Sequence, residues 1–583
     1  MEAAAPTKTT DTPFLTTGAT RGSGRRRFSS APQTECLFEA PASSASWVLS
    51  GVPGWWERRA ITAGLRPPWT DWRLALEAPP VAIESSASTP WLESASSFAL
   101  GEAYSRGLES SVRIGRGCHY TPELLATTLW AELGQEDRPP AGSIVDPACG
   151  AGALLVPVLQ QWLAGASRSE PTEALARVAE QIRGIDLDPL GVWLGNAILA
   201  AELLPLWALL APERRGPLPQ LLHVGDGLKQ TGPPAAIAVM NPPYGRVRLS
   251  AEDRRRWGES LFGHANRFGL FLHAAIDMTV PGGLIGAVLP TSFLGGAYYQ
   301  RLRSLVADKA PLARLVFVEQ RSGVFAGSVL QETCLAVFRR GAARSAITCS
   351  MQPVKGDRKR RPLGSARVAP ERAELPWLVP RAPRDAALLN RASGLAARLS
   401  DYGWKASTGP LVWNRHKPQI SSERTERALP IVWASDLSAG RVQVSCARAT
   451  QRWIRLRPRD EFMRLDEPAV LVQRTTAPEQ PRRLVASLLD AATLVEVWGG
   501  SVVVENHVNV LRCTNRASPL TPEVLAALLS SEPLDRLYRC LTGSVAVSAY
   551  ELAALPLPSA ETLRTWQDVP LDDIPRIAAE FYG

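Results

Sequence analysis

With 583 residues the chain exceeds what one hydrophobic core can organise, since single domains run about 100 to 200 residues, and two or three domains are expected. A composition of 45% hydrophobic and 21% charged residues is that of an ordinary globular protein and excludes long-range disorder away from the ends. The net charge of +9 rests on arginine, with only seven lysines among 65 basic residues, which allows a polyanionic partner, although GC-rich codons would favour arginine equally.

Residues 1–33, rich in Thr, Ser, Gly and Ala around the triplet Arg25, Arg26 and Arg27, cannot bury enough surface to order themselves and read as a tail. The start MEAAAPTKTTDTPFL lacks the apolar core of a secretory signal. Residues 34–105 form a tryptophan-dense extension (Trp47, Trp55, Trp56, Trp69, Trp72, Trp91), read as packing anchors against the next domain, with base stacking as the lesser alternative. Eight cysteines at 36, 118, 149, 334, 349, 446, 513 and 540 form no C-x-x-C pair and have no histidine at zinc spacing, so a reduced, cytoplasmic protein without a structural metal is expected.

Between about 106 and 345, short apolar runs alternate with helical patterns: SIVDPA, IRGIDLD, LLHVGD, AIAVMNPPY, LIGAVLP, ARLVFVE and LAVFRR. That rhythm predicts a doubly wound, Rossmann-like α/β sheet whose ligands lie beyond the carboxyl ends of its strands. Within it, the apolar stretch LGNAILAAELLPLWALLAP from Leu194 is interrupted by Asn196, Glu202 and Pro205, which predicts a buried helix pair and no membrane span.

Strand ends carry the chemistry. The run Ser143–Val145 leads into Asp146-Pro-Ala148-Cys-Gly150-Ala-Gly152, where glycines at i and i+2 permit a tight turn and let a ligand approach bare backbone at a helix start. Asp146 suits an amino-acid ammonium, whereas a phosphate loop would avoid a carboxylate there. The next strand ends in Asp186, positioned for two ribose hydroxyls, and a third in Gly225-Asp226, positioned for the exocyclic amine of an adenine. Each acid alone could equally cap the following helix, but the ordered set describes an aminoacyl-adenosine ligand without phosphate. The apolar run Ala235–Met240 then ends in Asn241-Pro242-Pro243-Tyr244. Two prolines cannot extend a strand ladder and leave their carbonyls open. The Asn241 amide oxygen and the Pro242 carbonyl are two acceptors able to converge on an NH2 group and draw its hydrogens out of the conjugated plane, while Tyr244 offers a face to a flat substrate.

These residues resemble the S-adenosylmethionine-dependent amino-methyltransferases, in particular the DNA N6-adenine methyltransferases of restriction-modification type, in which cofactor motifs precede N-P-P-Y. The resemblance covers about 230 residues and implies a seven-stranded methyltransferase sheet, S-adenosyl-L-methionine as cofactor and double-stranded DNA as substrate. It assigns Thr121, in Gly117-Cys118-His119-Tyr120-Thr121-Pro122, to the methionine carboxylate, and Phe325, in Gly323-Val324-Phe325, to a ring that sandwiches an extruded adenine with Tyr244. Adenine N6 is hidden inside a duplex, so the implied mechanism rotates the nucleotide out at a few kcal/mol of unstacking. The N-P-P-Y form favours adenine over cytosine.

Residues 346–385, with Lys355-Gly-Asp-Arg-Lys-Arg-Arg-Pro362, read as an exposed basic linker, and 386–583 as an α+β target-recognition domain. There Arg415, Lys417, Arg474, Arg482 and Arg483 are candidates for DNA contact, each individually compatible with plain solvated surface. Release-factor glutamine methyltransferases share N-P-P-Y but lack so large an extra domain. A fused nuclease is not expected: Asp357-Arg358-Lys359 has no Pro-Asp upstream, so cleavage would belong to a separate restriction endonuclease. A monomer is the favoured state.

Overall fold

Seven apolar runs become strands: β1 (Ile144–Asp146), β2 (Ile182–Asp186), β3 (Leu222–Val224), β4 (Ala235–Met240), β5 (Thr279–Pro290), β6 (Leu312–Val318) and β7 (Thr333–Arg339). Their near-continuous hydrophobic character fits a sheet covered on both faces, and β4 is buried along its whole length. The computed structural model describes residues 44–82, 90–109, 120–136, 142–165, 170–229, 232–319, 332–353, 359–368, 372–438, 440–476, 480–515, 517–541 and 546–583. The expected tail 1–33, Phe325 and Asp357-Arg358 lie outside them.

Two further strands, β8 (Ile347–Gln352) and β9 (Arg361–Ala366), extend this sheet to nine, in the order β9-β8-β6-β7-β5-β4-β1-β2-β3. Strands β1 to β5 pair in parallel, and β7 runs antiparallel to both β5 and β6. The strand order reverses between β1 and β4, which opens a crevice at their carboxyl ends. β8 and β9 correct the reading of 346–385 as a linker. They form an antiparallel pair at the sheet's edge, where Arg361 and Pro362 face solvent, so the segment has the composition of a connector while its backbone is laddered.

Helix α1 (Ala45–Thr62) buries Trp55 and Trp56, and the Trp55 indole donates to the Ala95 carbonyl at 2.8 Å, close to the start of α2 (Ser97–Gly107). α3 (Glu123–Leu133) follows, and then α4 (Pro189–Leu209). Trp72 meets Trp193 of α4 edge-on at 5.8 Å, and Trp69 meets Trp207 at 5.6 Å, so tryptophans of the extension pack onto this core helix. α4 is one helix of 21 residues and not the expected pair. Pro205 sits within its last turns, where the backbone bond it forgoes is offset by burial of the surrounding leucines. By length and composition it is the one helix among the described residues able to cross a membrane, yet 78% of its apolar window is buried inside the protein. It is a core helix.

Beyond residue 400 the rhythm changes to short strands. A six-stranded sheet contains Trp404–Thr408, Val508–Cys513, Ala469–Gln473 and Ala486–Leu489, and a five-stranded one is centred on Trp453–Arg455 and Ala428–Val432. Helices Pro522–Leu529, Glu532–Leu541 and Ile574–Tyr582 pack against the first. The fully buried Arg303 joins this part to the nine-stranded sheet. Its guanidinium donates to the carbonyls of Phe293 at 3.0 Å, Gly296 at 2.8 Å and Leu375 at 3.0 Å, and to the Tyr550 hydroxyl at 2.9 Å.

Candidate active site

At the carboxyl end of β1 the chain turns through Gly150 and Gly152, with φ of +51° and +79°, a region that side chains disfavour. Nothing lies within 4 Å of where a Cβ on Gly150 would stand, so the turn presents bare backbone to open space. Asp186, at the tip of β2, reaches across. Its Oδ2 accepts from the Gly150 N–H at 2.9 Å and its Oδ1 from the Asp188 N–H at 2.9 Å. Asp226 follows β3, and Gly227 lets its loop lie against the turn after β1: a Cβ there would stand 1.9 Å from the Pro147 carbonyl oxygen. The three strand-end acids thus border one crevice. Leu187 and Val224 project at the tips of β2 and β3 with 65% and 59% of their surface exposed. Sequence reasoning missed both. Leu187 directly follows the strand-end acid Asp186, which is a readable signal for an apolar ligand surface, whereas Val224 precedes Gly225-Asp226 and carries no such signal.

Asp146 is buried, and its Oδ1 accepts from the Ala148 N–H at 3.0 Å. Burial pushes its carboxyl from the usual 3.8 up to about 8, with the Asp186 charge adding to the rise and the Ala148 N–H opposing it. The folded chain therefore holds a proton that the unfolded chain releases near pH 4. The stability this group contributes is complete below that value and is lost as pH rises to about 8. Asp146→Asn is neutral and nearly isosteric, so it is expected to abolish that loss, stabilising the ligand-free chain at pH 8 by on the order of 2 to 5 kcal/mol. Thermal melts of both proteins across pH check this. A cationic ligand group beside the carboxyl would have the same effect on the wild type.

Across the strand-order reversal, β4 delivers Asn241. Its Nδ2 donates to the buried Thr121 hydroxyl at 3.0 Å, just ahead of α3. The resemblance assigned Thr121 to a cofactor carboxylate, and its hydroxyl here meets the Asn241 amide. With the NH2 end engaged on Thr121, the carboxamide is oriented and its Oδ1 points to the other side. Pro242 is buried, and the Tyr244 hydroxyl donates to the Val288 carbonyl of β5 at 3.2 Å. Burial also pushes that hydroxyl above the usual tyrosine range. Phe268 meets the Tyr244 ring edge-on at 6.3 Å, so the ring is held from both ends.

The five basic candidates beyond residue 400 separate by burial. Arg415 and Lys417 are exposed, with the Lys417 ammonium 4.9 Å from the Trp413 ring centroid. Arg474 and Arg482 are half-buried and donate to the carbonyls of Asn506 and Ser531, both at 3.1 Å. Arg483 is corrected: it is 2% exposed, its guanidinium donates to the Thr476 carbonyl and lies 5.9 Å from the Tyr538 ring centroid, and burial lowers its pKa. A side chain enclosed in this way holds the interior together and does not reach a nucleic acid.

Residues 98–364 match the sequence profile described as N-6 DNA Methylase. The Type II methyltransferase M.PstI of Providencia stuartii is 26% identical over 346 residues, covering 56% of this chain and 65% of that protein. Type II methyltransferase M.BsuBI of Bacillus subtilis is 23% identical over 336 residues, covering 56% of this chain and 66% of its own length. The chain thus spans just under two-thirds of the length of these relatives. Among solved structures, the Type IIL restriction-modification enzyme MmeI, determined in complex with DNA, shares the fold with a TM-score of 0.51 at 12% identity, over 93% of this chain and 87% of that one.

Proposed function

We propose, from the premise of an N-6 DNA methylase domain at residues 98–364, that this chain transfers a methyl group from S-adenosylmethionine to N6 of an adenine rotated out of double-stranded DNA. The observation that carries the reading is the meeting, across one strand-order reversal, of a crevice bordered by Asp146, Asp186 and Asp226 with an Asn241 amide oriented by Thr121.

The residues fit the cofactor. The buried Asp146 carboxyl, which burial keeps protonated, has no cationic partner among the described residues, and the ammonium of S-adenosylmethionine would supply one. Asp186 would hold the ribose hydroxyls, Asp226 the adenine amine, and Leu187 and Val224 the faces of that ring, with Ala148, Gly150 and Gly152 lining the open turn. When bound, the cofactor supplies an electrophilic methyl group on a positively charged sulfur.

The chain's own work is done on the substrate amine. The Asn241 Oδ1 and the Pro242 carbonyl accept its two hydrogens, draw the nitrogen toward tetrahedral geometry and release its lone pair from the purine ring. These acceptors are held in place before the reaction begins, so no reorganisation is needed as charge develops. The anchored Tyr244 ring offers a fixed stacking face, which at roughly 1 to 3 kcal/mol per base offsets part of the unstacking cost. Residues 386–583, with Arg415 and Lys417 exposed, supply contacts that select the site, and cleavage in a restriction-modification pair falls to a separate endonuclease.

Incubating the purified chain with S-adenosylmethionine radiolabelled on the methyl group, with plasmid DNA and a release-factor protein as competing acceptors, tests this reading. Label is expected in DNA. Label confined to the protein acceptor would overturn the substrate class.

A further inference from the structure

The catalytic motif opens directly into an arm that the transfer chemistry does not use. A two-stranded hairpin, Arg246–Val247 paired with Ala265–Asn266, is rooted where the Arg267 N–H donates to the Gly245 carbonyl at 3.0 Å, one residue beyond Tyr244. Between its strands lie the short helix Ala251–Arg256 and a loop tip at Phe262 and His264. The arm is rigid. Trp257 is buried with Leu270 and Ala274 at its base, with Val247, Leu249 and Leu261 packed against them, and Arg254 donates to the Gly263 carbonyl at 3.3 Å.

Its surface combines positive charge with open rings. Residues 245–267 hold six arginines against three acids, Glu252, Asp253 and Glu259. Asp253 accepts from the Ser250 hydroxyl at 2.8 Å, and Glu259 pairs with Lys309 at 2.5 Å. Arg246, Arg248 and Arg255 form no ion pair among the described residues, and Arg246 and Arg248 are exposed. Phe262 and Tyr298 remain 44% and 43% exposed, where burial would be their default. The Tyr298 ring is ordered between the Arg246 guanidinium, 5.6 Å from its centroid, and His264 at 5.2 Å. Tyr299, the next residue in the chain, accepts from the Asn266 amide of the hairpin at 3.1 Å and meets Phe268 at 5.0 Å, and Phe268 in turn meets Tyr244 at 6.3 Å, so the hairpin is tied to the catalytic motif.

We propose that this arm is a second DNA-contacting surface, carried by the catalytic half of the chain, with its arginines on phosphates flanking the target nucleotide and the Phe262 and Tyr298 rings against bases next to it. The inference rests on the DNA-methyltransferase reading above. Arginine forks without an ion pair suit phosphate, and exposed rings, that of Tyr298 held between Arg246 and His264, suit stacking or wedging in a duplex disturbed by base extrusion.

The test compares the full chain with the double variant Arg248→Glu/Arg255→Glu and with Phe262→Ala. Binding to labelled genomic duplex is measured by anisotropy across salt concentrations, methyl transfer to DNA by label, and S-adenosylmethionine affinity by calorimetry. The charge reversal is expected to weaken DNA binding at least about tenfold and to lower the slope of log affinity against log salt by about two. Phe262→Ala is expected to lower methyl transfer by about tenfold. Both variants should keep the wild-type cofactor affinity, which shows that they are folded. Variants matching a wild type that methylates DNA would overturn this inference alone, whereas a wild type that places no methyl on DNA would overturn the transfer reading and this inference together.

Discussion

Replacing Asn241 with alanine is expected to slow methyl transfer by at least about 10² to 10³ while changing cofactor affinity no more than about threefold. In the proposed mechanism the Asn241 Oδ1 would act only as the target nitrogen rehybridises, and an interaction made chiefly in the transition state appears in kcat. Its Nδ2 is engaged by Thr121, so the amide contributes to the cofactor crevice only at its margin. Single-turnover rates and titration calorimetry on one preparation separate the two quantities. Full turnover in the variant would remove Asn241 from the mechanism.

Asp186→Ala is expected to give the reverse pattern, with the S-adenosylmethionine dissociation constant raised by about 100-fold. Two losses combine. The carboxylate would no longer be available to the ribose hydroxyls, and charge-assisted hydrogen bonds contribute about 1.5 to 3 kcal/mol. It would also no longer hold the N–H groups of Gly150 and Asp188, so the turn after β1 would lose its brace. Asp186→Asn keeps an acceptor on that side and should lie between the variant and the wild type. At saturating cofactor the alanine variant should recover most of its turnover, which a collapsed fold would not permit. Unchanged affinity would place the ribose elsewhere.

Much of this was legible in the sequence because strand ends are punctuated chemically. Asp146, Asp186 and Asn241 directly follow an apolar residue at a strand's end, and Asp226 follows one glycine later, so the residues that form the sheet also locate the crevice. What stayed hidden depends on burial and pairing, which one-dimensional patterns do not carry. The edge strand β9 and its neighbour β8 look like a connector because the outer strand's residues largely face water. Arg483 has the composition of a DNA contact but sits under Tyr538, and α4 continues through Pro205 because packing outweighs one missing bond. The contact between Thr121 and Asn241 joins positions 120 residues apart in the chain. The arm was hidden for a related reason. Between Tyr244 and β5 no sustained apolar alternation marks a strand, and only the pairing of Arg246–Val247 with Ala265–Asn266 reveals the hairpin.

The central claim is that Asn241 and Pro242 grip the exocyclic amine of adenine in DNA. Nucleoside mass spectrometry of DNA from a host without adenine methylation of its own, expressing either the wild-type chain or Asn241→Ala, tests it most directly. N6-methyladenine is expected with the wild type and is expected to be absent with the variant. Methylated cytosine in its place, or equal N6-methyladenine in both hosts, would contradict the account.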